Sequence, residues 1–116
     1  MITTFSCSSK PTDCSNFRTG IFKYKHKDYS GHVIERNDSI QIEYNDTDDI
    51  KIISKIEWAS DCEYILTYKD ILNYPQKDNV IGKSFNVKII ETKNSSYICH
   101  VKSNTLDSEV EIVKVK

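Results

Sequence analysis

Apolar and polar residues alternate one by one along most of this chain, from Phe17 to its end. The pattern returns in short runs such as SIQIEYN, CEYILTY and SYICHVK, in which every second residue is apolar. Successive side chains of an extended strand point to opposite faces, so a period of two is typical of strands with one buried face. About eight such runs can be counted, and they predict an all-β chain.

Residues that favour turns separate these runs. Examples are RNDS around Asn37, NDTDD at 45–49, KNSS at 93–96 and SNTLDS at 103–108. Short connections between half-buried strands favour antiparallel pairing of sequence neighbours. We therefore predict an antiparallel meander of about eight strands that closes into a small barrel, because closure removes unpaired edges. A two-sheet β-sandwich is the alternative, and residues 70–82, which contain Pro75, are predicted to form one long loop.

Length and charge limit the classes of function. A chain of 116 residues fits one domain, and we assign residues 17–116 to the barrel. The formal net charge is −1, and 28% of the residues are charged. The sequence thus has no excess of basic residues that would predict a nucleic-acid partner. No apolar run approaches the ~20 residues that a membrane-spanning helix requires.

The first 16 residues form a polar segment without periodicity, which we interpret as a truncated signal and flexible tether. Within it, Thr4-Phe5-Ser6-Cys7 resembles the end of a bacterial lipobox, whose cysteine carries the lipid. The resemblance implies export to the cell envelope, in the periplasm or at the outer membrane, with membrane contact only through a lipid anchor at Cys7. The alternative is a disordered tail that carries a stray cysteine.

The first strong strand opens with Gly20-Ile21-Phe22, which resembles the Gly-x-Trp start of lipocalin and calycin barrels. Lys114 and Lys116 stand where those families place an arginine against the tryptophan. At the level of the whole chain, the sequence resembles the small lipocalin-like (calycin-type) lipoproteins of bacterial envelopes. This resemblance implies a fold and a cellular address, and it implies no activity.

Four cysteines allow several states. If Cys7 carries lipid, one disulfide can form among the other three. Cys62 and Cys99 fall two strands apart, beyond the reach of a disulfide in a flat sheet. A Cys14–Cys62 bond is therefore favoured, with Cys14–Cys99 close behind, and the alternative is that all the cysteines are reduced, buried thiols. No Cys-x-x-Cys or His-x-His spacing predicts a metal site.

Aromatic residues are the remaining candidates for a site. Tyr24, Tyr44, Trp58, Tyr64, Tyr68 and Tyr97 fall on the strand faces that we predict to point inward. They either fill the core or line a pocket for one small apolar ligand. No arrangement of residues predicts catalysis or a cofactor. The hypotheses are a binding module for a small hydrophobic ligand and, alternatively, a structural lipoprotein without a pocket that contacts another envelope protein.

Overall fold

The structure, a computed structural model, describes residues 13–45 and 47–116. In these residues eight strands pair antiparallel with their sequence neighbours, and the last strand pairs with the first to close a barrel. The predicted meander and its closure are confirmed, and the sandwich alternative is wrong. The strands are β1 Gly20–Tyr24, β2 His32–Arg36, β3 Ile40–Asn45, β4 Lys51–Ser60, β5 Glu63–Leu72, β6 Ser84–Thr92, β7 Ser96–Lys102 and β8 Asp107–Lys114.

The barrel closes where the chain ends approach each other. Phe22 of β1 lies opposite Lys114 of β8, and the amide of Ile21 donates a 2.9 Å hydrogen bond to the carbonyl of Lys116. Gly20 precedes this contact with φ +134°, and a Cβ there would lie 2.6 Å from the Lys116 carbonyl oxygen. Closure thus requires a residue without a side chain at the start of β1.

One end of the barrel is closed by the segment before β1. A 3-10 helical turn at Ser15–Phe17 inserts Phe17, which is buried, beneath the strands. Cys14 is also buried and forms the predicted disulfide with Cys62, at a Cα–Cα distance of 5.3 Å. Of the segment that we assigned to the tail, residues 1–12, including Cys7, lie outside the described residues.

The predicted loop at 70–82 begins too early. β5 continues to Leu72, and Ile71 is buried opposite Ile52 of β4. An irregularity in the pairing of β4 with β5 skips Lys69, so that Ile71 points inward, as Tyr68 does. The connection to β6 therefore starts at Asn73, whose φ of 63° is left-handed, and it contains a short 3-10 turn at Lys77–Asn79.

The order of the strands places the connections at two ends. The segments 25–31, 47–50, 73–83 and 103–106 lie at one end, which we call the open end. The connections 37–39, 61–62 and 93–95 lie at the other, closed end, together with Phe17. Across the described ranges, no helix has the length and apolar character needed to cross a membrane.

Candidate functional site

The barrel interior contains a cavity of about 300 Å³ that reaches the open end. Apolar side chains from five different strands form most of its wall. They are Ile34, Leu66, Val87, Val101, Val110 and Ile112. The volume lies at the low end of the range for small-molecule sites.

A buried guanidinium forms the floor of this cavity. Arg36, at the end of β2, is 5% exposed. Its Nε donates to Oε1 of Gln41 at 2.9 Å, and its Nη1 donates to the carbonyl of Phe17 at 2.8 Å. Its Nη2 donates to the hydroxyls of Tyr64 at 3.3 Å and Tyr97 at 2.9 Å. All four of these acceptors are neutral groups.

Aromatic rings complete the surroundings of this charge. The Arg36 guanidinium carbon lies 4.4 Å from the ring centre of Phe22 and 5.0 Å from that of Tyr64. Burial raises the pKa of the Tyr64 and Tyr97 phenols, which keeps both as neutral acceptors. The cation that packs on Phe22, the aromatic residue of the Gly20-Ile21-Phe22 motif, is thus Arg36 of β2. Lys114, in the position suggested by the lipocalin resemblance, donates instead to the carbonyl of Asn16 at 2.6 Å.

A carboxylate lies one residue pair closer to the open end than Arg36. Glu43 of β3 faces Ile34 across the β2–β3 pair and lines the cavity. Its Oε1 accepts a 3.0 Å hydrogen bond from the Tyr24 hydroxyl, and its Oε2 lies 3.5 Å from Nδ1 of His32. Burial raises the pKa of Glu43, and the contacts with Tyr24, His32 and Arg36 offset only part of this effect.

The hydrogen bonds around His32 identify its protonated nitrogen. Oδ1 of Asn45 accepts from the amide and the hydroxyl of Thr47, both at 2.8 Å, so the other side-chain atom of Asn45 is the NH₂ group. That group lies 3.0 Å from Nε2 of His32, which must therefore accept. In this tautomer Nδ1, the nitrogen nearest Glu43, carries the proton.

The six predicted site residues occupy four different places. Tyr24, Tyr64 and Tyr68 line the cavity. Tyr97 is fully buried beneath the floor, and Trp58 packs against Tyr64 at the closed end with ring centres 4.7 Å apart. The structure therefore brings half of the predicted residues together at the cavity.

The predicted inward orientation of Tyr44 is wrong. Tyr44 pairs with Val33 and Lys51 on the outer face, and its hydroxyl donates to the Glu35 carboxylate at 2.6 Å. In β3 the polar residues Gln41 and Glu43 point inward, against the usual rule that apolar residues face the interior. They do so because both have hydrogen-bond partners inside the barrel.

Sequence reasoning missed the polar residues of the cavity for the same reason. Gln41 and Glu43 alternate with Ile40, Ile42 and Tyr44, so the rule that apolar faces point inward places them on the outer face, and no pattern in the sequence marks Arg36. A signal was present in the short hairpin around Asn37, which pairs Arg36 with Gln41 on the face that also carries Ile34. His32 and Tyr29 at the open end carried no recognisable pattern.

The cavity also contains a thiol, that of Cys99. Burial raises the pKa of Cys99 to about 12, so it remains protonated and is a poor nucleophile. Within residues 13–45 and 47–116, no cluster of three or more His, Cys, Asp or Glu side chains is placed to hold a metal ion.

Together these features define an eight-stranded antiparallel barrel with a pocket open at one end, an architecture consistent with a lipocalin-like fold. Comparison with models of protein families, with curated proteins and with solved structures found no match to this chain.

Proposed function

We propose that this protein is an exported, lipocalin-like lipoprotein of the bacterial envelope that binds a small, mostly apolar ligand inside its barrel. The observation that carries the proposal is the open cavity of about 300 Å³. An eight-stranded barrel can fill its interior with side chains. This barrel instead leaves a volume equal to about ten water molecules, and an unfilled cavity costs stability.

Polar groups in the cavity wall support a binding role. Ser54 is 2% exposed, and Tyr68 lies directly opposite it in the β4–β5 pair. In the described part of the chain, neither hydroxyl has a hydrogen-bond partner in the protein. A few polar groups within a mostly apolar wall are typical of sites that orient a small molecule.

Export is supported by the Cys14–Cys62 disulfide, because such bonds persist in oxidising compartments. The lipid anchor depends on the lipobox resemblance at Cys7 alone. Expression of the complete gene in a bacterium, with and without Cys7→Ser, tests it. We expect the substitution to move the protein from the membrane fraction to the aqueous fraction.

Calorimetric titration with two neutral probes, 2-phenylethanol and indole, tests the pocket. Leu66→Trp fills the cavity, whereas Ile65→Trp adds the same side chain to the outer face of the same strand. We expect the wild type and Ile65→Trp to bind and Leu66→Trp to lose binding, with folding checked by circular dichroism. Equal titrations for all three proteins, or none with the wild type, contradict the proposal.

A second candidate is contact with another envelope protein through the open end. Four of the five large apolar side chains that are exposed in the described residues lie at that end: Tyr29, Leu72, Ile81 and Leu106. Such residues are typical of interaction sites when they lie together. Recovery of one envelope protein by the wild type, and its loss with Leu72→Lys combined with Ile81→Lys, favours this candidate.

A further inference from the structure

The cavity contains two charged side chains of opposite sign, and only one is available to a ligand. Arg36 makes hydrogen bonds to Gln41, Phe17, Tyr64 and Tyr97, and rings cover its faces. Its exposure is 5%, so little of its surface remains for a bound molecule. A ligand anion therefore gains little at the floor.

Glu43 differs in both respects. Its side chain is 19% exposed and lines the cavity. It accepts one hydrogen bond of ordinary length, from Tyr24, whereas a carboxylate offers about four lone-pair positions. The contact with His32 at 3.5 Å is longer than an ordinary hydrogen bond. Unused acceptor capacity on a largely buried carboxylate is a site for a donor that the protein does not supply.

The neighbours of Glu43 do not cancel its charge. Nε2 of His32 faces the amide group of Asn45 at 3.0 Å, and its Nδ1 lies 3.5 Å from Glu43, beyond the length of an ordinary hydrogen bond. Tyr24 contributes a neutral phenol, and the remaining cation, Arg36, lies one layer lower beside Gln41. A negative charge thus remains within an apolar wall, where its attraction for a cation is stronger than in water.

Aromatic rings surround the space next to this carboxylate. Tyr68 and Phe85 line the wall with their ring centres 5.1 Å apart, and Tyr24 lines it with Tyr29 at 5.6 Å. Ring faces attract ammonium groups, and the strength of this attraction rises when water is excluded. The same rings also suit an apolar ligand body.

We infer that Glu43 binds the protonated amine of a small ligand whose apolar or aromatic body fills the rest of the cavity. This inference rests on the proposed function and names the class of ligand: amphiphilic amines rather than fatty acids or neutral molecules. Glu43 supplies the charge, Tyr24 holds one carboxylate oxygen in place, and Tyr68 and Phe85 contact the body of the ligand.

Three compounds of similar size test the inference by calorimetric titration: 2-phenylethylamine as the cation, 2-phenylethanol as the neutral analogue and 3-phenylpropanoate as the anion. The proteins are the wild type, Glu43→Gln and Glu35→Gln. Glu35 is a matched control because it is a carboxylate on the neighbouring strand that faces outward and accepts from Tyr44. Thermal melts establish that each variant is folded.

We expect the wild type and Glu35→Gln to bind the amine roughly ten- to a hundredfold more tightly than the alcohol, the range for hydrogen bonds to a charged group. Glu43→Gln should abolish this preference, so that the amine binds no more tightly than the alcohol. Equal affinity of the wild type for amine and alcohol, or tighter binding of the anion, overturns the inference and leaves the proposed binding function intact. Failure of the wild type to bind any of the three overturns both.

Discussion

Nη2 of Arg36 lies 2.9 Å from the hydroxyl oxygen of Tyr97, although β2 and β7 are not neighbours in the barrel. The same nitrogen lies 3.3 Å from the hydroxyl of Tyr64, and the two phenols are 2.9 Å apart. One buried side chain thus joins three strands and the segment before β1 across the interior, since Arg36 also donates to the carbonyl of Phe17.

Replacing Arg36 with leucine should lower the free energy of unfolding by about 2 to 4 kcal/mol, because the Phe17 carbonyl and the Gln41 amide oxygen lose their donors while buried. Arg18→Leu is the control. Its guanidinium is one-third exposed and lies 3.7 Å from Asp38, so its loss should cost less than about 1 kcal/mol. Urea unfolding followed by circular dichroism measures both, and equal effects would contradict the role of Arg36.

Removing the Cys14–Cys62 bond by substituting both residues with serine should lower the free energy of unfolding by about 4 kcal/mol. The estimate follows from the 48-residue separation, because the bond restricts the unfolded chain. A reducing agent should destabilise the wild type to a similar extent and leave the double variant unchanged. A wild type that is insensitive to reduction would show that the bond does not form.

Titration of Glu43 should make stability depend on pH. Its folded-state pKa is raised above the ordinary value of 4.5, so the folded state binds the proton more tightly. The resulting stabilisation is fully present below about pH 4.5 and is lost as the pH rises through the raised pKa of Glu43. Tyr24, His32, Arg36 and Tyr68 are the titratable or charged groups that act on it.

The measurement compares urea unfolding of the wild type and Glu43→Gln from about pH 4 to about pH 8. We expect the wild type to lose stability relative to the variant as the pH rises, with Glu35→Gln following the wild type. Amine binding should change in the opposite sense, because it requires the ionised carboxylate. Parallel curves for wild type and Glu43→Gln would show that Glu43 ionises as freely as in water.

Gly20→Ala should destabilise the barrel by about 2 kcal/mol or more, because φ is +134° and the new Cβ would lie 2.6 Å from the Lys116 carbonyl oxygen. Gly82→Ala isolates the backbone contribution. Its φ is +90°, but nothing lies within 4 Å of the added carbon, so about 1 kcal/mol is expected. Thermal melts of both variants show whether the contact with the Lys116 carbonyl or the positive φ causes most of the loss of stability in Gly20→Ala.

The fold was predictable because successive side chains of an extended backbone point to opposite faces, and the sequence shows this period of two in its strands. Tyr64 and Tyr68 follow the simple rule that apolar faces point inward, and both line the cavity. The Cys14–Cys62 disulfide was favoured, with Cys14–Cys99 close behind, because Cys62 and Cys99 fall too far apart to pair in one flat sheet, and the Cys14–Cys62 bond is present.

The site was predicted less well because a hollow barrel inverts the rule that served for the fold. Gln41 and Glu43 are polar and point inward, whereas Ile42 and Tyr44 point outward. Alternation shows that a strand has two different faces, but it does not show which face meets hydrogen-bond partners inside the barrel. The early end predicted for β5 has a local cause, since the irregularity at Lys69 restores the inward position of Ile71.

Cys14 fixes the segment before β1 to the closed end of the barrel. The described part of that segment, residues 13–19, therefore lies on the side opposite the mouth. A guest molecule that enters through the mouth therefore approaches from the end of the barrel farthest from Cys14.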